Sequence, residues 1–176
     1  MDIYKSSRLD NLKYEIRGPV YEKAIALQNQ GYKITSLNIG NPAAFGFETP
    51  DEIVHDIIVN IRQAQGYVDS RGLFAARKAV MHYYQNQGVK NIMIEDIYIG
   101  NGVSELISLV LTALLNTDDE VLIPSPDYPL WTTVVGLAGG KAVHYLCDEE
   151  SDWNPSIEDI ESKITSKTKA LVIINP

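Results

Sequence analysis

Strand-like and helix-like segments alternate along residues 97–174, and this alternation restricts the chain to one class of fold. Helical periodicity predicts helices over 104–116, 128–138 and 156–164. Short apolar runs between these helices predict strands at Ile97–Ile99, Glu120–Ile123, Ala142–Cys147 and Ala170–Ile174. Repeated β-α units of this kind fold as α/β structures, in which helices cover both faces of a largely parallel sheet.

Helices dominate the pattern of the first hundred residues. Residues 1–17 lack periodicity and are interpreted as an arm, and a helix is expected over Val20–Asn29. One strand is predicted at Ile34–Ile39, followed by an apolar, ordered loop over residues 40–47. A second helix is expected to begin near Pro50, and a third covers Phe74–Asn86.

The composition excludes several classes of partner. The chain carries 15 basic and 23 acidic residues, a net charge of −8, which argues against nucleic acids and anionic membranes. Its N-terminus is polar and it contains no apolar run of membrane-spanning length, so we expect a soluble cytoplasmic protein. A hydrophobic fraction of 45% favours a globular fold over disorder.

The sequence also gives no support for a metal site or for a catalytic triad with a serine nucleophile. Cys147 is the only cysteine, so neither a disulfide within the chain nor a cysteine-rich zinc site can form, and a buried thiol is expected. The histidines are far apart in sequence and lack ligand spacing: His55, His82 and His144. No Gly-x-Ser-x-Gly nucleophile motif is present.

A glycine turn follows the predicted strand Ile97–Ile99. Gly100 and Gly102 permit backbone conformations closed to other residues, and the helix that follows offers free N–H groups and the positive end of its dipole. Ser104 adds a hydroxyl where a phosphate ligand or a helix cap would lie. Two interpretations remain open: a phosphate site, or an ordinary strand-to-helix turn.

Two further loops carry candidate groups. The proline-rich segment 124–129 presents Tyr128 at the carboxyl end of a strand, where it could stack on a flat ring or fill a gap beneath the loop. In the loop 66–72, Tyr67 or Arg71 could reach an anion. Alternatively, that loop is a surface turn closed by an Asp69–Arg71 pair.

The N-terminal segment offers two weaker candidates. Gly40 lies just past a predicted strand and could bring its N–H to a ligand, or could serve only as a turn residue. Arg17 precedes a helix and could grip a carboxylate with two hydrogen bonds, or could join the arm to the core by a salt bridge.

Taken in order along the chain, these segments resemble the class I/II aminotransferases of fold type I, which use pyridoxal 5′-phosphate (PLP). The resemblance covers the whole chain and is greatest to the bacterial glutamate–pyruvate (alanine) aminotransferases. The runs that carry it are Lys5-Ser-Ser-Arg-Leu, Ile16-Arg-Gly-Pro, Leu37-Asn-Ile-Gly-Asn-Pro-Ala, Ala64-Gln-Gly-Tyr, Ser70-Arg-Gly-Leu, Glu95-Asp-Ile-Tyr-Ile-Gly-Asn-Gly-Val-Ser-Glu-Leu, Pro126-Asp-Tyr-Pro-Leu-Trp, Lys141-Ala-Val-His-Tyr-Leu-Cys-Asp-Glu and Asp152-Trp.

The resemblance implies a role for each candidate residue. The cofactor phosphate is implied to bind at Gly102, Val103 and Ser104, and the pyridine ring to stack on Tyr128. Tyr67 is implied to reach the phosphate of the neighbouring subunit in a homodimer. The substrate-binding residues are implied to be Gly40, whose backbone meets the substrate carboxylate, and Tyr14 and Arg17, which lie on the arm.

The resemblance also implies that parts of the site lie outside this sequence. Asn175-Pro176 resembles the start of the family's Asn-Pro-Asn-Asn-Pro-Thr-Gly segment, and the Schiff-base lysine, the aspartate at the pyridine nitrogen and the carboxylate-binding arginine would all follow it. We therefore expect an N-terminal portion of a longer protein, inactive by itself. Residues 1–46 would form the arm and the first part of the small domain, and residues 47–176 the first part of the large PLP-binding domain.

The family's sheet has the strand order 3-2-4-5-6-7-1, and the four strands predicted from Ile97 onward correspond to numbers 1 to 4. Strand 1 would then pair only with a strand that this sequence lacks. The implied fold is an incomplete αβα sandwich.

The implied function is transfer of an amino group between L-alanine and 2-oxoglutarate through a Schiff base with PLP, without a metal. Two alternatives remain: a non-catalytic module that keeps the phosphate-binding turn and the dimer surface, and an aminotransferase of different amino-acid specificity. A nucleotide-binding α/β domain is disfavoured, because the segment after the second strand lacks a recognisable acidic ribose contact.

Overall fold

The chain forms two compact units. A computed structural model describes residues 3–10, 18–37 and 40–175. One unit comprises Leu27–Gly100, and the other combines Met1–Ala26 with Asn101–Pro176. The assignment of residues 1–46 and 47–176 to two domains stays a prediction.

Helices dominate the first hundred residues, as predicted. Helix α1 covers Pro19–Asn29, α2 covers Asp51–Asn60 and α3 covers Phe74–Asn86. The predicted loop after residue 40 contains a 3-10 turn, Pro42–Phe45. Further 3-10 turns cover Ile61–Gln65 and Ile94–Asp96.

Two predicted strands do not form in the described residues. Ile34–Leu37, the described part of the predicted strand Ile34–Ile39, is irregular, and residues 38 and 39 lie outside the described ranges. Ile97–Ile99 is also outside the sheet, although Ile97 has extended backbone angles (φ −107°, ψ 124°). A strand requires a neighbouring strand for its hydrogen bonds. Here the Ile99 N–H instead donates to the loop carbonyl of Arg71 at 2.9 Å.

From residue 103 onward the predicted alternation of helices and strands is confirmed. Its elements are α4 (Val103–Leu114), β1 (Glu120–Ser125), α5 (Leu130–Leu137), β2 (Lys141–Leu146), α6 (Ile157–Lys163) and β3 (Thr168–Leu171). Both neighbours of β1 are parallel to it, and the strand order is β2-β1-β3. This is the order 3-2-4 that the resemblance implied for these strands.

Helices cover both faces of this sheet because side chains along β1 alternate between two cores. Val121 and Ile123 pack with Ile107 and Leu111 of α4 and with residues of α5. Leu122 points to the opposite face, where its cluster contains Tyr145, Cys147 and Ile160 of α6. The β1 side chains at 121–123 are fully buried, which explains their uninterrupted apolar sequence.

Candidate cofactor site

The glycine turn is built around a backbone conformation that only glycine adopts readily. Gly102 caps the N-terminus of α4 at φ 81° and ψ 173°, a region of backbone space essentially reserved for glycine. A Cβ at this position would meet no atom within 4 Å, so the space beside the turn is open. The glycine is therefore required by the backbone path, and the open space gives access to the helix N-terminus.

The first turn of α4 leaves donors available in that space. The first helical hydrogen bond in the turn comes from the Leu106 N–H to the Gly102 carbonyl, so the N–H groups of Val103 and Ser104 lack partners within the helix. The Ser104 hydroxyl is exposed and makes no hydrogen bond within the described residues. The Glu105 carboxylate accepts a hydrogen bond from the Asn101 N–H, which closes the turn.

These donors are suited to an anion. Unpaired N–H groups, a hydroxyl and the positive end of a helix dipole converge at the start of a twelve-residue helix. The residues therefore fit the phosphate group of PLP on chemical grounds.

Tyr128 occupies the loop between β1 and α5, as predicted, in the same compact unit as Gly102 and α4. The Tyr128 side chain is 38% exposed, so part of its ring surface is free to meet a ligand. Its carbonyl accepts a hydrogen bond from the Trp131 N–H at 3.0 Å, which joins it to the first turn of α5. A partly exposed aromatic ring on an anchored backbone is suited to stacking.

A polar cluster beside Tyr128 was not predicted from the sequence. The Thr132 hydroxyl lies 2.9 Å from Asp127 Oδ2 and 2.9 Å from His144 Nε2. His144 Nε2 and Asp127 Oδ2 are 3.9 Å apart. The three residues come from a loop, a helix and a strand, so no sequence spacing marks them as neighbours.

Tyr67 belongs to the other unit and is fully exposed. In its loop the predicted Asp69–Arg71 pair is confirmed: Arg71 donates to both carboxylate oxygens, at 3.1 and 2.9 Å. These hydrogen bonds, chiefly those from the Arg71 side chain, lower the pKa of Asp69 to about 2. The same pair raises the pKa of Arg71, whose guanidinium is therefore already engaged.

Arg77 supports this loop from α3 and was missed in the sequence. Its side chain is 4% exposed; it donates to the Ile94 carbonyl at 2.7 Å and lies 3.8 Å from Asp69 Oδ2. Burial of the guanidinium follows from the fold around residue 94, which the helical pattern of α3 does not reveal.

The remaining predicted residues are Gly40, Tyr14, Arg17 and Cys147. Gly40 is exposed, with open space around its Cα, and lies in the same unit as Tyr67. Tyr14 and Arg17 lie outside the described residues. Cys147 is a buried free thiol, as predicted.

Other kinds of site are not found in the described residues. They contain no group of three or more His, Cys, Asp or Glu side chains arranged to hold a metal ion. No helix in the described ranges is long and apolar enough to cross a membrane.

Comparison with known proteins identifies the family. The profile of the family "Aminotransferase class I and II" matches residues 32–176. This chain belongs to the class I and II aminotransferase family. PLP is the cofactor of that family, in agreement with the chemistry available at the start of α4.

Two individual relatives are aminotransferases named for alanine or for glutamate and pyruvate. The chain is 60% identical over 174 residues to the glutamate–pyruvate aminotransferase AlaA of Escherichia coli K12, a match that covers 99% of this chain and 43% of that protein. It is 57% identical over 173 residues to an alanine aminotransferase of Mycobacterium tuberculosis, covering 98% of this chain and 40% of that one. The chain thus spans less than half the length of these relatives.

Solved structures support the fold. An aminotransferase from Escherichia coli superimposes with a TM-score of 0.91 at 59% identity, covering 100% of this chain and 44% of that one. An alanine aminotransferase from Pyrococcus furiosus gives a TM-score of 0.89 at 39% identity, with coverage of 98% and 44%. The chain therefore has the aminotransferase fold over the part it spans.

Proposed function

We propose that this sequence forms the N-terminal part of a cytoplasmic aminotransferase that moves an amino group between L-alanine and 2-oxoglutarate. The main support is 57–60% identity, over nearly the whole chain, to relatives named alanine or glutamate–pyruvate aminotransferases. The glycine-capped start of α4 adds a structural reason, because it offers the donors that a phosphate-bearing cofactor needs.

The chain's own residues would bind and orient the cofactor. The N–H groups of Val103 and Ser104 and the Ser104 hydroxyl would donate to the phosphate, and Gly102 would allow its close approach. Tyr128 would stack on the ring and exclude water from one of its faces. When bound, PLP supplies the electron-withdrawing ring that transamination requires.

Other candidate residues would contribute to substrate binding and assembly. The Gly40 backbone N–H and the arm residues Tyr14 and Arg17 would meet the substrate carboxylate. Tyr67, whose ring is fully exposed, would reach the phosphate in the second subunit of a homodimer. We expect the 176-residue chain alone to be inactive, because the lysine implied for the chemical step lies outside it.

A chimera tests the proposal directly. Residues 1–176 would replace the matching segment of Escherichia coli AlaA, and pyruvate formation from L-alanine and 2-oxoglutarate would be followed with lactate dehydrogenase. We expect a homodimer that binds PLP and forms pyruvate. A folded chimera that binds PLP but forms no pyruvate would contradict the function.

Matched variants of the chimera test the cofactor site. Ser104→Ala should weaken PLP binding by about 1.5–3 kcal/mol through loss of a charge-assisted hydrogen bond. Tyr128→Ala should also weaken it, by at least the ring-stacking contribution of about 0.5–1.5 kcal/mol. Ser162→Ala, an exposed position on α6, is the control. Equal PLP dissociation constants for all of these proteins would contradict the location of the site.

A further inference from the structure

The hydrogen-bonded group Asp127–Thr132–His144 lies directly beside the proposed stacking residue. Asp127 precedes Tyr128 in the loop, Thr132 lies on the first turns of α5, and His144 lies on β2. The Asp127 side chain is 16% exposed and that of His144 is 40% exposed, so the group is sheltered at one end and open at the other.

The chemistry of the three groups fixes the direction of these hydrogen bonds. An ionised carboxylate only accepts, and a hydroxyl has a single hydrogen. Since Thr132 donates that hydrogen to Asp127, its oxygen must accept from His144. His144 therefore carries a hydrogen on Nε2, and the donors run from His144 through Thr132 to Asp127.

We propose that this group positions the Tyr128 ring, and through it the cofactor ring; this inference rests on the proposed function. His144, Thr132 and Asp127 act as positioning residues that do not touch the cofactor.

The contacts explain how the positioning works. The Tyr128 carbonyl is held by the Trp131 N–H of α5, and the preceding residue is held by Thr132, also on α5. His144 connects this corner to the central sheet, since β2 is hydrogen-bonded to β1. Without the Thr132 hydroxyl, Asp127 and His144 would be 3.9 Å apart with no bridge. The loop would lose its side-chain link to His144 of β2 and keep only the backbone hydrogen bond from the Cys147 N–H to the Ser125 carbonyl, so Tyr128 would sample more orientations.

Neighbouring threonines provide a matched test. In the chimera, Thr132→Val removes the bridging hydroxyl with little change of shape, and Thr132→Ser keeps it. Thr133→Val is the control, because the buried Thr133 Oγ1 has no hydrogen-bond partner in the described residues. Dissociation constants of the apoprotein would be measured for PLP and for inorganic phosphate, which would use only the Gly102–Ser104 part of the site.

We expect Thr132→Val to raise the dissociation constant for PLP roughly tenfold while leaving that for phosphate unchanged. Thr132→Ser and Thr133→Val should bind both molecules as the unaltered chimera does. A uniform loss for PLP and phosphate in Thr132→Val would indicate a general structural role and would overturn the inference, as would unchanged PLP binding.

Variants at the histidine provide an independent test. His144→Gln keeps an N–H donor at about the right reach and should retain most of the PLP affinity, whereas His144→Leu should resemble Thr132→Val. Equal affinity in the two variants would overturn the role assigned to Nε2. If the unaltered chimera bound neither PLP nor phosphate, the proposed cofactor site itself would be refuted, a result distinct from these.

Discussion

The two compact units differ sharply in how far their apolar side chains are buried. In the unit that contains the sheet, Val121, Leu122 and Ile123 are completely buried, and Leu111 of α4 is 1% exposed. In the unit Leu27–Gly100, α2 contains no buried residue, and Ile57 on its apolar face is 57% exposed. Both regions have helices where the sequence predicts them, so the difference does not lie in secondary structure.

This contrast separates helix formation from core formation. An apolar stripe predicts a helix from its spacing, but the stripe is buried only where another element covers it. In the sheet unit, helices pack against both faces of β1 and so bury their apolar sides. The exposed apolar face of α2 consists of Ile53, Val54, Ile57 and Ile58, and it continues into Ile61 of the following 3-10 turn.

Truncations in the two units should differ most in their effect on stability. We expect Leu111→Ala to lower the free energy of unfolding by about 2–5 kcal/mol, because it leaves a cavity in a closed core. Ile57→Ala should change it by less than about 0.5 kcal/mol, because that side chain is largely exposed. Urea unfolding of the 176-residue chain measures both. Similar losses for the two variants would show that α2 is covered by another surface.

A substitution at Gly72 tests whether the unit Leu27–Gly100 nevertheless contains a tightly packed contact. The φ of Gly72 is +104°, and a Cβ there would lie 2.8 Å from Ile99 Cβ. We expect Gly72→Ala to destabilise the chain by about 1–3 kcal/mol through strain and overpacking. The control Gly66→Ala has φ −100° and open space around it. If both variants had the same melting temperature, the close approach of Gly72 and Ile99 would have no effect on stability.

Tyr145 should show a smaller effect in the sheet unit. Its buried hydroxyl donates to the Val172 carbonyl at 2.7 Å, which fixes the chain just after β3. Burial raises the pKa of this hydroxyl. Tyr145→Phe should cost about 0.5–1.5 kcal/mol by urea unfolding, since the carbonyl loses its partner. The exposed Tyr83→Phe is the control; a cost equal to that of Tyr145→Phe would argue against the bond.

The smallest effect should be the acid response of the Asp69–Arg71 pair. Because the folded-state pKa of Asp69 is about 2, below its ordinary value of 3.8, the pair stabilises the loop above that ordinary pKa. Its contribution is lost as the pH falls from about 4 towards 2. Hydrogen bonds also lower the pKa values of two carboxyl groups in the sheet unit, chiefly the one from Thr165 to Glu120 and the one from Lys163 to Asp159, so acid weakens that unit as well.

The variant Asp69→Asn isolates the loop's share of this response. Stability would be measured for the variant and the unaltered chain at several pH values between 2 and 5. We expect the difference between the two proteins to shrink as the pH falls. A difference that stayed constant would mean that Asp69 does not titrate through its pairing with Arg71.

Much of the fold could be predicted, because local patterns specify it. The helix Phe74–Asn86 was predicted with the bounds observed, since periodicity and the glycine at 88 define it. The parallel strands around residues 121, 143 and 170 were also predicted, because apolar runs between helices suit a parallel sheet, although of the three only β1 is buried along most of its length. The strands predicted at Ile34–Ile39 and Ile97–Ile99 were wrong in the described residues, because a strand also needs a neighbour.

The sequence by itself determined the family, the parallel α/β fold and the position of the glycine turn before α4, since these depend on local spacing and on ordered motifs. The tertiary structure alone decided which apolar faces are buried and which polar groups meet. Asp127, Thr132 and His144 are brought together by the packing of α5 against β2, and Arg77 is buried by the turn around Ile94. Such contacts join distant positions, and no local pattern encodes them.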